Sequence, residues 1–406
     1  MKKILSLIAL GMILGISADA ANKEWTFLVY LDGDNNLEEA GIDDINEMEE
    51  VGSDEINIIV QFDRHPGYDK TNGNWSDCRR FYIAKDDDTQ IISSPVVGTL
   101  GEVNMAETKT LTDFIQWGIE NYPAKKYALV LWNHGGGWRK DIKPHKAVCW
   151  DETSGDDCLY MSEVKEALGA SEKMFNLIGF DACLMGMIEV AYQIKDYCDV
   201  MVGSQETEPG DGWPYHTILA DLSGTPTMNA TELGKVIVER YGEEYKGWSE
   251  ITQSAIDLNK LKDLIPGTLS TFADSLDSYW DEIRTAREMT DCVSSYADLF
   301  HFASLVEGID DTSIKNNAEA VKSELNALII ANYASPDHPN FQGLNIYFPE
   351  GFWDEEYDDY VFLKPVDFPI DTTWDEFLVR FCKTTPGVPK IEPLYTVGTN
   401  TDFEVR

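Results

Sequence analysis

The chain has 406 residues, 43% of them apolar, and 72 acidic against 32 basic residues give it a formal net charge of −40. This length can hold one large domain or two ordinary ones, and the apolar fraction allows a sizeable core. We expect no nucleic-acid partner, because phosphate binding needs patches of Lys and Arg. The acidity would attract basic partners, although it also simply keeps a protein soluble.

The first twenty residues have the layout of a secretory signal peptide. Two lysines at positions 2 and 3 precede an apolar run over 4–16, and Ala-Asp-Ala at 18–20 supplies a cleavage site of small residues. The run is short for a membrane-spanning helix. We therefore expect an exported protein, periplasmic or extracellular, with no stable membrane insertion.

Apolar, β-branched runs of strand length alternate with helical patterns through the first half of the chain. The predicted strands are Trp25–Leu31, Ile56–Phe62, Arg80–Ala84, Tyr127–Trp132, Phe175–Phe180 and Asp199–Gly203. The predicted helices are Leu37–Val51, Lys109–Asn121, Met161–Ala170 and Met185–Tyr197. This alternation predicts an α/β fold in which helices cover both faces of a largely parallel sheet.

Helical patterns dominate the second half. We predict helices over Asn229–Lys246, Lys260–Arg287, Ser294–Glu307, Ile314–Tyr333 and Thr373–Cys382, and strands over Ile251–Leu258 and Gly343–Phe348. Pro, Gly and Thr are frequent from Thr384 onward. The pattern therefore predicts a mainly helical subdomain over 250–384 and an extended tail over 385–406.

Two candidate reactive side chains follow predicted strands. His134 comes after Tyr127–Trp132, and Cys183 comes after Phe175–Phe180, where we expect the strand to pass directly into a helix. Parallel strands would carry both residues to one sheet edge, the usual place for ligands in such folds, and a helix N-terminus would lower the pKa of the thiol. A thiol and an imidazole together suit nucleophilic catalysis.

The three glycines after His134 fit the same interpretation. Backbone at Gly135, Gly136 and Gly137 would let a substrate approach closely and could offer N–H groups to an oxyanion. The alternatives are a structural histidine and a small core cysteine, each common when such residues occur alone. The separation of 49 residues is close to the value of about 50 between the His and Cys of caspases.

Five blocks of the sequence resemble the clostripain family of caspase-like cysteine peptidases. They read WTFLVYLDGDNNLE (25–38), YALVLWNHGGGW (127–138), GFDACLMGMIEVAYQI (179–194), SQETEPGDGWPY (204–215) and GLNIYFP (343–349). The resemblance covers about 24–382. It implies a caspase-like α/β/α sandwich, with a catalytic domain over 21–249, and an endopeptidase that cleaves proteins or peptides after Arg or Lys.

The resemblance also implies roles for individual residues. His134 and Cys183 would form a catalytic dyad, and the backbone N–H groups of Gly135 and Cys183 would form the oxyanion hole. Asp181 and Asp211 would be the carboxylates that bind the basic side chain of the substrate, since carboxylates pair well with guanidinium or ammonium.

Other roles for these carboxylates stay open. Asp181 could instead cap a following helix, and Asp211 could be a turn residue before Gly212. Glu206 and Glu208 lie close by in sequence and could share either role.

Relatives of this kind are often made as precursors that cut themselves between the histidine and cysteine blocks. The linker here offers Arg139, Lys140, Lys143 and Lys146. We expect the Lys146–Ala147 bond to be the processing site, because the apolar residues after it could start a strand.

We expect a monomer with no obligatory cofactor, although Ca²⁺ stays open because some relatives depend on it. The acidic runs at 86–88 and 354–360 could hold it through oxygen ligands, or could be solvated loops. Asp32 and Asp34 end the first predicted strand and could suggest a metal-dependent hydrolase, or could cap the strand and the helix after it. A further alternative is a non-catalytic caspase-like protein that binds peptides or surfaces.

Overall fold

The computed structural model describes residues 23–138, 147–349, 360 and 366–384. The expected signal peptide, the linker over 139–146 with Lys146, the acidic run at 354–359 and the tail over 385–406 lie outside these residues. Within them, no helix is long and apolar enough to cross a membrane.

A nine-stranded sheet forms the centre of the fold, in the strand order β13-β10-β9-β8-β5-β1-β2-β3-β4. The strands of the described chain are β1 (Trp25–Gly33), β2 (Asn57–Arg64), β3 (Cys78–Tyr82), β4 (Val96–Gly101), β5 (Lys126–Trp132), β6 (Val148–Asp151), β7 (Asp157–Leu159), β8 (Phe175–Asp181), β9 (Cys198–Gly203), β10 (Thr252–Asp257), β11 (Cys292–Val293), β12 (Tyr296–Asp298), β13 (Ile329–Ala334) and β14 (Asn345–Tyr347).

The middle of this sheet is parallel and both of its edges are antiparallel. Strands β9, β8, β5, β1 and β2 pair in parallel, whereas β10 and β13 at one edge and β3 and β4 at the other pair antiparallel. Strands β6 and β7 form a separate hairpin, and β11, β12 and β14 form a small third sheet. The predicted largely parallel sheet is thus confirmed.

Helices cover both faces of the central sheet, which gives an α/β/α sandwich. The described helices are α1 (Glu38–Val51), α2 (Thr108–Asn121), α3 (Met161–Ala170), α4 (Ile188–Ile194), α5 (Tyr215–Gly224), α6 (Ala230–Glu244), α7 (Leu258–Ser275), α8 (Trp280–Met289), α9 (Leu299–Val306), α10 (Thr312–Leu328), α11 (Asp367–Asp371) and α12 (Trp374–Thr384). The fold has two hydrophobic cores. In one, α1, α5 and α6 pack against the sheet, and in the other, α2, α3, α4 and the C-terminal helices pack against it.

The C-terminal part differs from its predicted helices. The pattern over Ile314–Tyr333 runs through α10 and then into β13, because Ile329, Ile330 and Ala331 are apolar enough to continue either element. Residues 250–384 therefore contribute two strands of the central sheet as well as helices. The predicted helix over Lys260–Arg287 is two helices, α7 and α8, and the pattern over Ser294–Glu307 includes strand β12 before α9.

A buried ion pair ties α1 to the end of β2. Arg64 Nε lies 2.6 Å from Glu38 Oε1, and both side chains are fully buried. The other oxygen of Glu38 accepts the backbone N–H of Asp69 at 2.7 Å. The pair fixes the first helix, which follows the β1 strand end, against the sheet.

We predict that Arg64→Leu lowers the free energy of unfolding by about 3–5 kcal/mol, because it leaves the Glu38 carboxylate buried without its counter-charge. Denaturant titration followed by circular dichroism would measure the loss. The control Arg240→Ala removes a partly exposed pair with Asp221 and should cost less than about 1 kcal/mol. Equal small losses in both variants would contradict the structural role of the buried pair.

Candidate active site

The pairing of β5 with β8 brings the two candidate reactive residues together. Trp132 and Asp181 are opposite each other in the parallel register, and His134 and Cys183 each lie two residues further on. Both line one cavity of about 300 Å³. Its other lining residues are Leu37, Trp132, Asn133, Asp181, Ala182, Thr207, Glu208, Pro209, Gly210 and Gly212. The prediction that one sheet edge carries both residues is confirmed.

His134 is half-buried and is held from several sides. Its Nε2 lies 2.8 Å from Oδ1 of Asn36, in the turn after β1, and its ring lies 5.5 Å from the ring of Trp150. Its backbone N–H donates to the side chain of Asn133. Asn133 Nδ2 in turn lies 2.8 Å from Asp32 Oδ2 and 3.0 Å from the carbonyl of Trp150. An amide oxygen beside Nε2 favours the tautomer that carries its proton on Nε2.

The three glycines have three different functions. A Cβ at Gly135 would lie 2.4 Å from the carbonyl oxygen of Cys183, so only glycine permits this approach. The N–H of Gly136 donates to the carbonyl of Ala147 at 2.9 Å and is therefore not directed at the cavity. Gly137 adopts a left-handed conformation with φ of 71°.

Cys183 does not lie at a helix N-terminus, contrary to the prediction. Helix α4 begins at Ile188 rather than at Met185 and is only seven residues long. Between β8 and α4 the chain forms a loop in which Leu184 adopts a φ of 63°. The N–H groups of Leu184 and Gly186 donate to the carbonyls of Glu206 and Ser204, so the loop is fixed to the segment after β9. A helix dipole therefore does not activate the thiol.

Backbone amides surround the Cys183 sulfur instead. The N–H of Glu208 lies 3.3 Å from Sγ. Burial raises the thiol pKa, while N–H groups of Glu208, Cys183 itself and Gly135 oppose that shift. The raised pKa favours the protonated form of this thiol. The two amides expected to form an oxyanion hole, those of Gly135 and Cys183, are both among the groups that act on this sulfur.

Asp181 forms the buried end of the cavity. Its Oδ2 accepts the Tyr215 hydroxyl at 2.8 Å and the Trp213 backbone N–H at 3.2 Å. It does not cap a helix, because α4 begins seven residues later and its N-cap residue is Met187. Burial raises the pKa of Asp181 to about 6, against the lowering effect of these donors. A Cβ at Gly212 would lie 3.0 Å from Asp181 Oδ2, so the glycine keeps this end of the cavity open.

Glu208, rather than Asp211, supplies the second carboxyl of the cavity. Asp211 is exposed, and its neighbours Gly210 and Gly212 line the cavity whereas Asp211 does not. Burial, followed by the charge of Asp181, raises the pKa of Glu208 well above its ordinary value. Glu206 points elsewhere and lies 3.4 Å from His338.

Asn36 and Tyr215 belong to the site although the sequence pattern did not single them out. Asn36 lies in the DGDNN turn, and polar residues after a strand can equally be residues that cap the following helix. Tyr215 begins helix α5, which was not predicted. The available signals were that both residues lie in the resembling blocks at 25–38 and 204–215 and that these segments flank the ends of β5 and β8 in the sheet order.

The chain is similar to known proteins over most of its length. The model of the Clostripain family, Peptidase C11, matches residues 29–381. Clostripain of Hathewaya histolytica is 29% identical over 410 residues, which cover 84% of this chain and 77% of that protein.

Two solved structures share the fold. A secreted C11 cysteine protease from Bacteroides thetaiotaomicron, in complex with an irreversible peptide inhibitor, aligns with a TM-score of 0.64 and 22% identity over 87% of this chain and 99% of that one. An inactive zymogen C11 protease from Parabacteroides distasonis aligns with a TM-score of 0.61 and 23% identity over 80% and 92%.

We predict that Gly135→Ala lowers turnover of a peptide substrate at least about 100-fold, because its Cβ would displace the backbone of Cys183. Fluorogenic peptide hydrolysis would measure the loss, with circular dichroism to verify folding. Gly224→Ala is the matched control, since its Cβ would contact nothing within 4 Å. A folded Gly135→Ala variant with unchanged turnover would contradict the close approach.

Proposed function

This chain belongs to the clostripain family and is a cysteine endopeptidase, and from that premise we propose that it cleaves peptide bonds after Arg or Lys through His134 and Cys183. One observation carries the proposal. The cavity that holds both residues also holds two poorly solvated carboxyl groups, Asp181 and Glu208, and none of its lining residues in the described chain is Lys or Arg.

The carboxyl groups lack the counter-charge that a basic substrate side chain would supply. Glu208 Oε1 accepts from Gln253 at 3.1 Å, and the carboxyl of Glu208 shares a hydrogen bond with that of Asp181, an arrangement that needs a proton between the two groups. Tyr215 and Trp213 bind only one oxygen of Asp181. A guanidinium or ammonium group entering the cavity would neutralise this charge and replace lost hydration with charge-assisted hydrogen bonds.

In the proposed reaction, Cys183 starts as a protonated thiol. His134 accepts the Cys183 proton as Sγ attacks the scissile carbonyl, and the oxyanion is stabilised by the N–H groups of Gly135 and Cys183. His134 then protonates the leaving amine as the C–N bond breaks. Water hydrolyses the acyl-enzyme with His134 as base. Asn36 is a positioning residue, which holds Nε2 while Nδ1 exchanges protons.

A second candidate function is peptide binding without cleavage by the same cavity. The protonated thiol and its contact with the Glu208 backbone would suit a protein that holds a peptide and leaves it intact. The shared cavity of His134, Cys183 and the oxyanion amides favours catalysis, because binding alone does not need a base beside a thiol.

We predict that Asp181→Asn lowers kcat/KM for peptides ending in Arg about 10- to 100-fold, because the neutral amide loses one charge-assisted contact. Peptides ending in Leu should be cleaved no worse by the variant than by the wild type. Asp211→Asn, an exposed matched change, should alter kcat/KM less than about 3-fold. A larger loss from Asp211→Asn than from Asp181→Asn would contradict this account of specificity.

The pH dependence of kcat/KM should follow from the carboxyl group of Asp181. Since the pKa of Asp181 is about 6, acidification through that value protonates Asp181 and removes its charge. We predict that kcat/KM for Arg peptides falls below about pH 6 in the wild type and that Asp181→Asn loses this part of the decline. Rate profiles between pH 4.5 and 8 would measure it; an unchanged acid limb in the variant would refute the assignment.

We further propose self-processing at the Lys146–Ala147 bond. Lys146 lies outside the described residues, but Ala147 is buried and its carbonyl accepts the Gly136 N–H, two residues from His134. Val148, the next residue, begins β6 and bridges to Gly135. Ala147 therefore lies next to the loop that carries His134, and cleavage before it would leave a strand already paired with that loop.

We predict that purified wild-type protein yields a second N-terminus at Ala147, and that Cys183→Ala remains a single chain. Lys146→Ala should block the cut, whereas Lys143→Ala, four positions from the bond, should not. N-terminal sequencing and intact-mass spectrometry would show whether the Lys146–Ala147 bond is cut. A fully active wild-type protein that remains one chain would contradict self-processing.

We also propose that the mature protein acts outside the cytoplasm as a monomer. The signal-peptide pattern of the first twenty residues supports export. Mass spectrometry of protein from the periplasm or medium should show an N-terminus near residue 21, and size-exclusion chromatography with light scattering should give one chain per particle. A retained leader or a stable dimer would contradict these two proposals.

A further inference from the structure

A small antiparallel sheet from the C-terminal part of the chain contacts both loops that carry the reactive residues. We call these loops the His loop, residues 133–137, and the Cys loop, residues 182–187. Strands β12 and β14 of the small sheet pair so that Asp298 is opposite Asn345. All residues of both strands are buried, and none of them lines the substrate cavity. Any effect of the sheet on the reaction therefore passes through the two loops.

Tyr296 of β12 holds the His loop. Its hydroxyl donates to the carbonyl oxygen of Gly136 at 2.7 Å, and this contact is buried. The N–H of Gly136 donates to the carbonyl of Ala147 at 2.9 Å, so both backbone polar groups of this glycine have partners outside the loop. Gly137 lies against the same tyrosine, because a Cβ there would be 3.3 Å from Tyr296 Cε2. The backbone that follows the Gly135 amide is thereby fixed.

Asn345 of β14 holds the Cys loop. Its backbone N–H donates to the carbonyl of Gly186 at 2.9 Å, and it forms an isolated parallel bridge with Met187. The other support of the Cys loop is the segment after β9, which accepts two of the loop's N–H groups. Cys183 therefore lies between the end of β8 and these two anchors.

Gln205 joins the segment after β9 to the small sheet. Its side chain is fully buried. Its Nε2 donates to Asp298 Oδ2 at 2.9 Å and to Asn345 Oδ1 at 2.7 Å, while its Oε1 accepts the N–H of Gly343 at 2.6 Å. In return, Asn345 Nδ2 donates to the backbone carbonyl of Gln205 at 3.0 Å. Both hydrogens of the side-chain amide are used, so these bonds fix the segment 204–206 against the sheet.

The two loops carry the two amides assigned to the oxyanion hole. The N–H of Gly135 belongs to the His loop and that of Cys183 to the Cys loop, and the register of β5 with β8 ends before both, at Trp132 and Asp181. Amides stabilise an oxyanion only when both lie about 3 Å from it, and a displacement of about 1 Å can lower the rate about 100-fold. The spacing of the two amides therefore depends on the contacts that hold the loops.

We propose that Tyr296 and Gln205 are positioning residues of the oxyanion hole. Through the small sheet they hold the His loop and the Cys loop at one spacing, so that the amides of Gly135 and Cys183 meet at one substrate oxygen. This role rests on the proposed peptidase function and extends it to the C-terminal part of the chain. Neither residue lines the cavity, so their loss lowers the rate of oxyanion formation and leaves peptide binding nearly unchanged.

Tyr296→Phe removes the hydroxyl that holds Gly136 and keeps the aromatic ring in the core. We expect kcat for an Arg peptide, expressed per active site titrated with an alkylating Arg peptide, to fall about 10-fold, with KM changed less than about 3-fold. Tyr241→Phe is the matched control, because it also removes a buried tyrosine hydroxyl, one that has no hydrogen-bond partner. The control should keep kcat within about 2-fold of the wild type.

A transition-state analogue separates positioning from a general loss of structure. When an Arg peptide aldehyde binds, Sγ of Cys183 bonds to the aldehyde carbon, the thiol proton moves to His134, and the aldehyde oxygen becomes a tetrahedral oxyanion without a leaving group. Its inhibition constant should rise about 10-fold in Tyr296→Phe, as kcat falls. The inhibition constant of the matching peptide alcohol, which the thiol cannot attack, should not change.

Gln205→Met tests the second support, because it keeps the length of the side chain and removes its hydrogen bonds. We expect kcat and aldehyde affinity to fall at least about 10-fold, again with little change in KM. If circular dichroism shows that this variant does not fold, Asn345→Ala takes its place with the same expectation, because it removes two of those bonds and keeps the backbone N–H that Gly186 accepts.

The outcomes distinguish this role from the proposed function. A folded Tyr296→Phe variant with unchanged kcat, or one that binds the aldehyde and the alcohol equally less well, would overturn the positioning role, whereas wild-type turnover would leave the proposed function intact. A folded Gln205→Met variant with the kcat of the wild type would exclude Gln205 from that role. A wild type that neither cleaves the Arg peptide nor binds its aldehyde would overturn the proposed function and the positioning role together.

Discussion

The parallel pairing of β5 with β8 is the constraint on which the site depends. Its register places Trp132 opposite Asp181, and the chain needs only two more residues on each side to bring His134 and Cys183 into one cavity. Gly135 then packs against the backbone of Cys183, so the two strand ends form one continuous surface. A shift of one residue would turn every side chain of either strand to the other face and separate the pair.

Buried carboxyl groups are the second feature on which the site depends. The net charge of −40 is partly a solvated surface, but Asp181 and Glu208, which line the cavity with His134 and Cys183, are carboxyl groups whose charged forms are disfavoured by burial. The two carboxyl groups share a hydrogen bond, and no Lys or Arg of the described chain lines their cavity. Such arrangements cost stability and are expected where a cationic ligand supplies the missing charge.

Much of this architecture could be predicted from the chain itself. The first six predicted strands and the first four predicted helices all exist, because buried parallel strands read as continuous apolar runs and amphipathic helices repeat with their own period. His134 and Cys183 could be placed at one edge for the same reason.

Other features depend on contacts that no local pattern encodes. Strand β13 continues the apolar pattern of α10, and only pairing with β10 makes it a strand. The Cys183 loop reads as the start of a helix, but its amides bond to the segment after β9. Asn36, Glu208 and Tyr215 acquire their positions from the sheet order, which places distant turns beside the ends of β5 and β8.

The most direct test of the account is hydrolysis of four matched fluorogenic peptides that end in Arg, Lys, Asp or Leu, with wild type beside Cys183→Ala under mild reductant. The account predicts turnover of the Arg or Lys peptide, absent in the variant. Cleavage of the Asp peptide alone would contradict the role of the Asp181 carboxylate. Silence on all four peptides from correctly processed protein would contradict the catalytic assignment of His134 and Cys183.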